Sequence, residues 1–181
     1  MSAEHMNNNE KSRCIFVFDI DGTLIDSSER ARILAEEAGK LGERIRDLLW
    51  SKEMMSLDKP RLQGIALLKN RVKKGIVVIV SGRREKYRSQ TLKQLKEAGI
   101  PLDKVHMILL RGDDDPRREE EWKANIIVEL ESELEGIVCE VHDNNEGVLE
   151  LIRKLLPHAC LVHHTGSTAT FYRKTRLCGE I

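Results

Sequence analysis

The chain has 181 residues, 40% of them hydrophobic and 33% charged, with 30 Lys+Arg against 30 Asp+Glu. That length allows one domain with a proper core, and the composition excludes a disordered chain. A formal net charge of zero excludes the global positive field of a protein that coats nucleic acid, though not a local basic groove.

Aromatic residues are only 4%, so Leu, Ile and Val have to fill the core. No apolar run approaches the roughly 20 residues that span a bilayer. The polar start, with Asn7, Asn8 and Asn9, has no signal-peptide core. Residues 1–12 read as a flexible leader, 13–181 as a single domain, and a reducing cytoplasm as the location. Cys14, Cys139, Cys160 and Cys178 form no CxxC pair, which argues against zinc and redox motifs. The first three stand in apolar runs and read as ordinary core residues.

In chain order, the run Cys14 to Phe18 reads as a buried strand ending in an acidic loop. Ser28 to Trp50 is charged and helical, with Ile33, Leu34, Leu41, Ile45, Leu48 and Leu49 on its apolar side. It reads as a small helical cap inserted at about residues 27–56. Leu62 to Val72 reads as the crossover helix feeding the β-branched strand Ile76 to Val80. Next comes a helix marked by Tyr87, Leu92, Leu95 and Ala98 and stopped at Gly99, with Pro101 beyond. Val105 to Leu110 is a third strand. The helix of Trp122, Ile126, Ile127, Leu130 and Leu134 leads to a fourth, Ile137 to Val141. The helix of Val148, Leu149, Ile152, Leu155 and Leu156 stops at Pro157, before a weaker strand, His158 to His163. Continuous apolar strands alternating with helices predict an α/β fold with a central parallel sheet and right-handed crossovers.

Ligands of such sheets bind beyond the carboxyl ends of the strands. The loops there carry Asp19-Ile20-Asp21-Gly22-Thr23, then Ser81-Gly82-Arg83, then Asp143-Asn144-Asn145-Glu146, with Lys123 near the start of a helix. A phosphate ester needs this set. A carboxylate attacking phosphorus splits one hard step into two. A divalent cation, Mg²⁺ by its oxygen preference, screens the repulsion between the two anions. Lysine and hydroxyl donors hold the phosphoryl oxygens. A second carboxylate two residues on acts as acid, then as base. Gly22 permits the tight turn, and Thr23 is placed to donate to phosphate. Lys123 also stands at i,i+4 from Glu119, which by itself is only a surface pairing.

The string Phe18-Asp19-Ile20-Asp21-Gly22-Thr23-Leu24, with Ser81, Lys123 and Asp143 in that order, resembles the four motifs of the haloacid dehalogenase superfamily. The resemblance implies a three-layer Rossmann-like fold with Asp19 as nucleophile and Asp21 as acid/base. It gives Ser81 and Lys123 to phosphate, and Mg²⁺ to Asp19, Asp21 and Asp143. The last motif departs from the common form: it reads His142-Asp143-Asn144-Asn145-Glu146, and in the variant it resembles Asn144 also reaches the metal. A narrower resemblance joins Ser81-Gly82-Arg83, Asp115-Pro116-Arg117, Glu119, Lys123 and Arg30 to the 3′-phosphatases of polynucleotide kinases. It implies that Arg30 and Arg83, beside Thr23 and Gly82, bind substrate phosphate or orient the site.

The expectation is a phosphomonoesterase acting on the 3′ end of a nucleic acid. The alternatives are a small-metabolite phosphatase with the helix of Ser28 to Trp50 closing over it, and a non-catalytic phosphate-binding module. The basic tail Arg173, Lys174 and Arg176 would extend contact with a strand, although no aromatic-rich stacking platform is visible. Met54-Met55 offers an apolar pair for a second copy, so the chain is expected to be a monomer or a homodimer.

Overall fold

The acidic string after the first strand sits at the middle of a sheet because of where the chain turns back. The computed structural model describes residues 13–41 and 48–181; the expected leader and Ile45 lie outside these. β1 (Arg13–Phe18) leads into a short antiparallel ladder between β2 (Ile25–Asp26) and β3 (Lys59–Pro60). Between the two ladder strands lie α1 (Ser28–Leu41) and a helical turn, α2 (Lys52–Met55). Then come α3 (Leu62–Arg71), β4 (Ile76–Arg84), α4 (Arg88–Glu97), β5 (Met107–Arg111), α5 (Glu119–Glu133) and β6 (Gly136–Asp143). The chain closes with α6 (Glu146–Leu155), β7 (Cys160–Thr165) and β8 (Thr168–Arg173).

The main sheet has the order β5-β4-β1-β6-β7-β8. All neighbours are parallel except β8, which runs antiparallel to β7. Successive residues of one strand feed opposite faces. Phe16, Phe18, Val77 and Ile79 pack with Ile65, Leu68 and Leu95 of α3 and α4. Ile15, Val17, Val78 and Val80 pack with Ile127, Leu130, Leu149 and Ile152 of α5 and α6. Burial on both faces is why these strands read as unbroken apolar runs. The helices thus change face between β5 and β6, and β1 stands at the switch point where such sheets bind ligands.

The expected α/β fold is therefore observed, with differences of detail. β8 was not expected: it is an edge strand of alternating Thr, Ala and aromatic residues, without the continuous run that marks its neighbours. The weak strand lies at Cys160–Thr165 rather than from His158. Met55 is buried within the chain, which removes half of the apolar pair expected to face a second copy. No helix among the described residues is long and apolar enough to cross a membrane.

The C-terminal residues correct two expectations. Arg173 pairs with Leu161 at the start of β7, the sheet edge opposite the acidic loops. Its guanidinium donates to the carbonyls of Leu156 and Arg153, closing the end of α6. It is not free to follow a nucleic-acid strand. The four cysteines are also not free: Cys14 is bonded to Cys139 and Cys160 to Cys178, with Cα atoms 5.3 and 5.1 Å apart. This pairing removes one ground for inferring a reducing compartment.

A buried polar chain runs between the two disulfides. Arg71 Nε donates to Glu140 Oε2 at 2.6 Å, and Gly179 N to Glu140 Oε1 at 2.7 Å. His142 Nε2 lies 3.1 Å from Glu140 Oε2, and His142 Nδ1 lies 3.1 Å from His164 Nε2. A carboxylate only accepts, so His142 carries its proton on Nε2 and accepts at Nδ1 from His164. Burial drives both imidazoles toward the neutral form, His164 down to about 3. Burial raises Glu140, but the His142 and Arg71 hydrogen bonds outweigh it and hold it at about 2.

Both the covalent and the polar links can be tested by unfolding. The Cys14–Cys139 bond spans 125 residues, and a loop that long stabilises by several kcal/mol. Reducing agent should therefore lower the midpoint of thermal unfolding by roughly 10 °C, with Cys14→Ala/Cys139→Ala reproducing most of the change. The unfolded chain takes up protons at His142 and His164 below about pH 6.5, where the folded chain refuses them. Stability in urea should then fall from pH 6.5 to 5 by up to about 1.4 kcal/mol per pH unit for each histidine. It should fall further below 4.5 as Glu140 adds its share. His164→Gln should flatten the upper part of that slope by about one proton.

Candidate active site

Each functional side chain stands at a strand's carboxyl end for a local reason. Asp19 follows β1 directly, and its N–H donates to the His142 carbonyl at 2.9 Å, tying the loop to β6. The chain then turns at Gly22, whose φ is +79°. A Cβ there would meet the Asn144 side chain at 2.3 Å, so both backbone conformation and space demand glycine. Arg61 clamps the far side of this turn, donating from Nη1 to the Gly22 carbonyl. β4 reaches past Ser81 to Arg84 through a break in its pairing with β5. Irregularities of this kind re-aim side chains next to sites.

Lys123, from the first turns of α5, is 1% exposed. Its Nζ lies 2.8 Å from Asp19 Oδ1, 3.1 Å from Asp143 Oδ2 and 3.2 Å from Glu119 Oε1. The surface pairing with Glu119 is thus one of three contacts, and the buried pair of aspartates supplies the others. Burial alone lowers a lysine, but Asp143, Asp19 and Glu119 outweigh it and hold Lys123 well above its ordinary range. Burial, with the charges of Asp143 and Asp21, pushes Asp19 up despite the lysine.

Asp21 has the opposite setting. Arg83 holds it in a fork, Nε to Oδ2 at 2.7 Å and Nη2 to Oδ1 at 2.9 Å, and Arg30 Nη2 adds a third bond to Oδ1 at 2.7 Å. Burial raises Asp21, yet Arg83 and then Arg30 overcome it and hold the carboxyl at about 2. Both arginines are almost fully buried. Arg30 also donates to Asp58 Oδ1 at 3.0 Å and to the Leu49 carbonyl at 2.9 Å. Arg83 donates to Gln94 Oε1 at 2.7 Å, and Gln94 in turn donates to Asp58 Oδ2 at 2.9 Å. Of the two roles expected for Arg30 and Arg83, the contacts are those of orienting the site.

A cleft of about 530 Å³ opens over these groups. Asp19, Asp21, Ser81, Gly82, Arg30, Arg83, Asn144 and Glu146 reach its wall, with Lys123 and Asp143 buried against Asp19 below. Glu119 lines it too, its carboxylate pressed against Gly82, where a Cβ would meet it at 2.3 Å. Thr23 does not line the cleft. It is fully buried, and its hydroxyl has no partner among the described residues, so the phosphate-donor role expected of it has no geometric basis. Asn145, not Asp143, caps α6, accepting from Gly147 N at 2.8 Å, while Asp143 Oδ1 accepts from Asn145 N at 2.8 Å. Asp58, Gln94, Leu49 and Trp50 belong to the site without a motif to reveal them. Trp50, as one of only two tryptophans, was the one signal the sequence offered.

The donor set fits a divalent cation. Asp19, Asp143 and Glu119 surround a single ammonium, three carboxylates against one cation, while Asp21 already has two arginines. Asp19 Oδ2 makes no hydrogen bond among the described residues, and burial, with the charges of Asp143 and Asp21 beside it, pushes its carboxyl up. No group of three or more acidic, His or Cys side chains among the described residues is placed to hold a metal. Mg²⁺ needs no such cage, since it takes one or two carboxylates and keeps several waters.

Fold and site together define a haloacid dehalogenase-type hydrolase. The family model for HAD superfamily subfamily IIIB acid phosphatases matches residues 1–151. The chain belongs to this family. Among solved structures, a chain of the Pnkp1/Rnl/Hen1 RNA repair complex is similar at 22% identity and a TM-score of 0.57, over 86% of this chain and 44% of that one. The chain thus spans less than half of that protein. A haloacid dehalogenase-like hydrolase from Streptococcus pneumoniae is similar at 15% identity and 0.58, over 80% and 81% of the two chains. The class C acid phosphatase of Bacillus anthracis is similar at 19% and 0.55, over 76% and 54%. At these identities the likeness is one of fold. No curated protein matches the chain in sequence.

Removing the fork should separate orientation from folding. Arg83→Ala leaves Asp21 with Arg30 alone, and should lower kcat/KM for a phosphomonoester at least about 100-fold while costing on the order of 3 kcal/mol of stability. Arg83→Lys, which keeps the charge without the fork, should recover stability more than activity. Urea unfolding and phosphate release measure the two.

Proposed function

We propose that the chain is a Mg²⁺-dependent phosphomonoesterase that works through an aspartyl-phosphate and acts on 3′-phosphate ends of nucleic acid. The observation that carries the chemistry is the contrast between the two aspartates. Asp19 lines the cleft and takes a lysine on one oxygen, its other making no hydrogen bond among the described residues, whereas Asp21 is held ionised by two arginines. Groups whose environments push them apart take different roles.

Asp19 Oδ2 attacks phosphorus, and the bond from phosphorus to the ester oxygen breaks. Asp21, ionised at rest, first accepts the proton that a phosphate monoanion brings, then delivers it to the leaving oxygen. Water next attacks the aspartyl-phosphate, the bond from phosphorus to Asp19 breaks, and the water's proton goes to Asp21, which passes it to the departing phosphate and returns to its ionised form. Lys123 and the Ser81 hydroxyl hold phosphoryl oxygens through both steps. A Mg²⁺ held by Asp19, Asp21 and Asp143, with Asn144 beside it, would supply charge for the approach of anion to anion.

The nucleic-acid substrate is supported by the resemblance of the motifs to polynucleotide 3′-phosphatases and by the fold likeness to a chain of an RNA repair complex. A small-metabolite phosphatase is the competing reading, favoured by the apolar wall that Leu49 and Trp50 give the cleft. The proposal keeps the enzyme in the cytoplasm. Two disulfides then imply a cell in which intracellular disulfides persist, as in hyperthermophiles.

Phosphate release should be measured with and without Mg²⁺, from a 3′-phosphorylated oligonucleotide and from a pool of sugar phosphates and 5′-mononucleotides. The expected result is Mg²⁺-dependent release that favours the oligonucleotide and is lost in Asp19→Asn. Preference for the pool would keep the chemistry and discard the polymer. A KM for the oligonucleotide that ignores salt would also count against a polyanionic substrate.

A further inference from the structure

Trp50 stands at the cleft and has no part in the chemistry above. It is half-buried and, with Leu49, gives the cleft an apolar part of its lining. The other tryptophan, Trp122, is buried in the core under α5. The Arg30 guanidinium carbon lies 4.6 Å from the centre of the Trp50 ring, and that of Arg83 lies 5.2 Å away. Tyr87 stands beyond it with ring centres 6.1 Å apart. The indole is thus one arginine removed from Asp21.

That position matters because of where a leaving group must go. The nucleophile and the leaving oxygen lie on opposite sides of phosphorus in an in-line displacement. Asp21 protonates the leaving oxygen, so the leaving group emerges on the Asp21 side. The arginines that bracket Asp21 lie against the indole, so the leaving group departs along Trp50. The cleft volume of about 530 Å³ is in the range that takes a whole small ligand, not a phosphate alone. Indole and guanidinium planes together make a π surface of the kind on which nucleobases stack.

We propose that Trp50 is the specificity-determining residue of the site, stacking the nucleobase of a leaving group that ends in a 3′-phosphate. The inference rests on the phosphomonoesterase reading of the site and adds the recognition of a base to it. The base can belong to a polymer end or to a free nucleoside 3′-monophosphate, and the chemistry recognised is the same.

The test compares wild type, Trp50→Phe and Trp50→Ala, with Mg²⁺, on three phosphomonoesters. These are a 3′-phosphorylated oligonucleotide, thymidine 3′-monophosphate and glycerol 2-phosphate, a secondary ester without a base. Wild type should prefer the base-bearing esters in kcat/KM. Trp50→Ala should reduce that preference about 10-fold or more, mainly through KM, a loss within the range of one base–aromatic stack. Trp50→Phe should recover it to within about 3-fold. A reduced preference for both base-bearing esters identifies the base alone as the determinant, and one confined to the oligonucleotide identifies the polymer end. An equal fall on all three esters would overturn the proposal and leave Trp50 as packing for the arginines.

A binding measurement keeps the question open to refutation if Trp50→Ala does not fold. In Asp19→Asn protein, thymidine 3′-monophosphate should quench tryptophan fluorescence, glycerol 2-phosphate should not, and Asp19→Asn/Trp50→Phe should show no quench. A quench that persists without Trp50 sinks the idea. If wild type releases no phosphate from any ester, the reading of the site fails. If it hydrolyses all three without preference, only the role of Trp50 fails.

Discussion

Everything at the site depends on one ammonium between two aspartates. The parallel sheet brings Asp19 and Asp143 together at the ends of adjacent strands, where their like charges repel in a buried setting. Lys123, reaching from α5 on the far crossover, lies 2.8 and 3.1 Å from them. A buried charge is tolerable only with partners, so lysine and aspartates hold one another in place. The arrangement is still short of positive charge once Glu119 is included, with three carboxylates facing one ammonium.

The second constraint is the two-arginine grip on Asp21, which links the chemistry to the insert between β2 and β3. Arg30 comes from the first turn of α1 and joins Asp21 to Asp58 and to the Leu49 carbonyl. Gln94, from α4, closes a ring through Arg83 and Asp58. The wall carrying Leu49 and Trp50 is therefore fixed to the Asp21 carboxylate through buried polar contacts and not by apolar packing alone. A residue that changed the insert would be felt at Asp21.

How much of this was legible in the sequence follows from the physics of each part. The strands were readable because burial on both faces leaves unbroken apolar runs. The acidic loops were readable because two carboxylates directly after such a run are costly to bury unless a cation or a ligand meets them. β8 was not, since an edge strand with one wetter face lacks that run. The roles of Arg30 and Arg83 were half readable: spacing marked them, but only the fold shows them turned onto a carboxylate. Asp58 and Gln94 come from segments whose proximity is made by the tertiary fold, so local pattern carried no sign of them. The cysteines misled because a residue in an apolar run looks the same whether it is a free thiol or half of a bridge. Only the 5.3 Å approach of Cys14 to Cys139 distinguishes the two.

That bridge bears on the site itself. Cys14 lies on β1, the strand that ends at Asp19, and Cys139 lies on β6, the strand that ends at Asp143. The two strands slip in register between Ile15 and Phe16, just above the bridge. Parallel pairing alone would leave the relative height of the two carboxylates to that irregular stretch. A covalent link at its foot, the Asp19 N–H to His142 carbonyl bond at its head and Lys123 across the top fix it at three levels. The stacked Phe18 and His142 rings, 4.1 Å apart, fill the space between. The precision with which Asp19 meets Asp143 is thus a property of the β1 and β6 pair as a whole, and the buried Arg71, Glu140 and His142 chain, anchored on β6, belongs to the same scaffold.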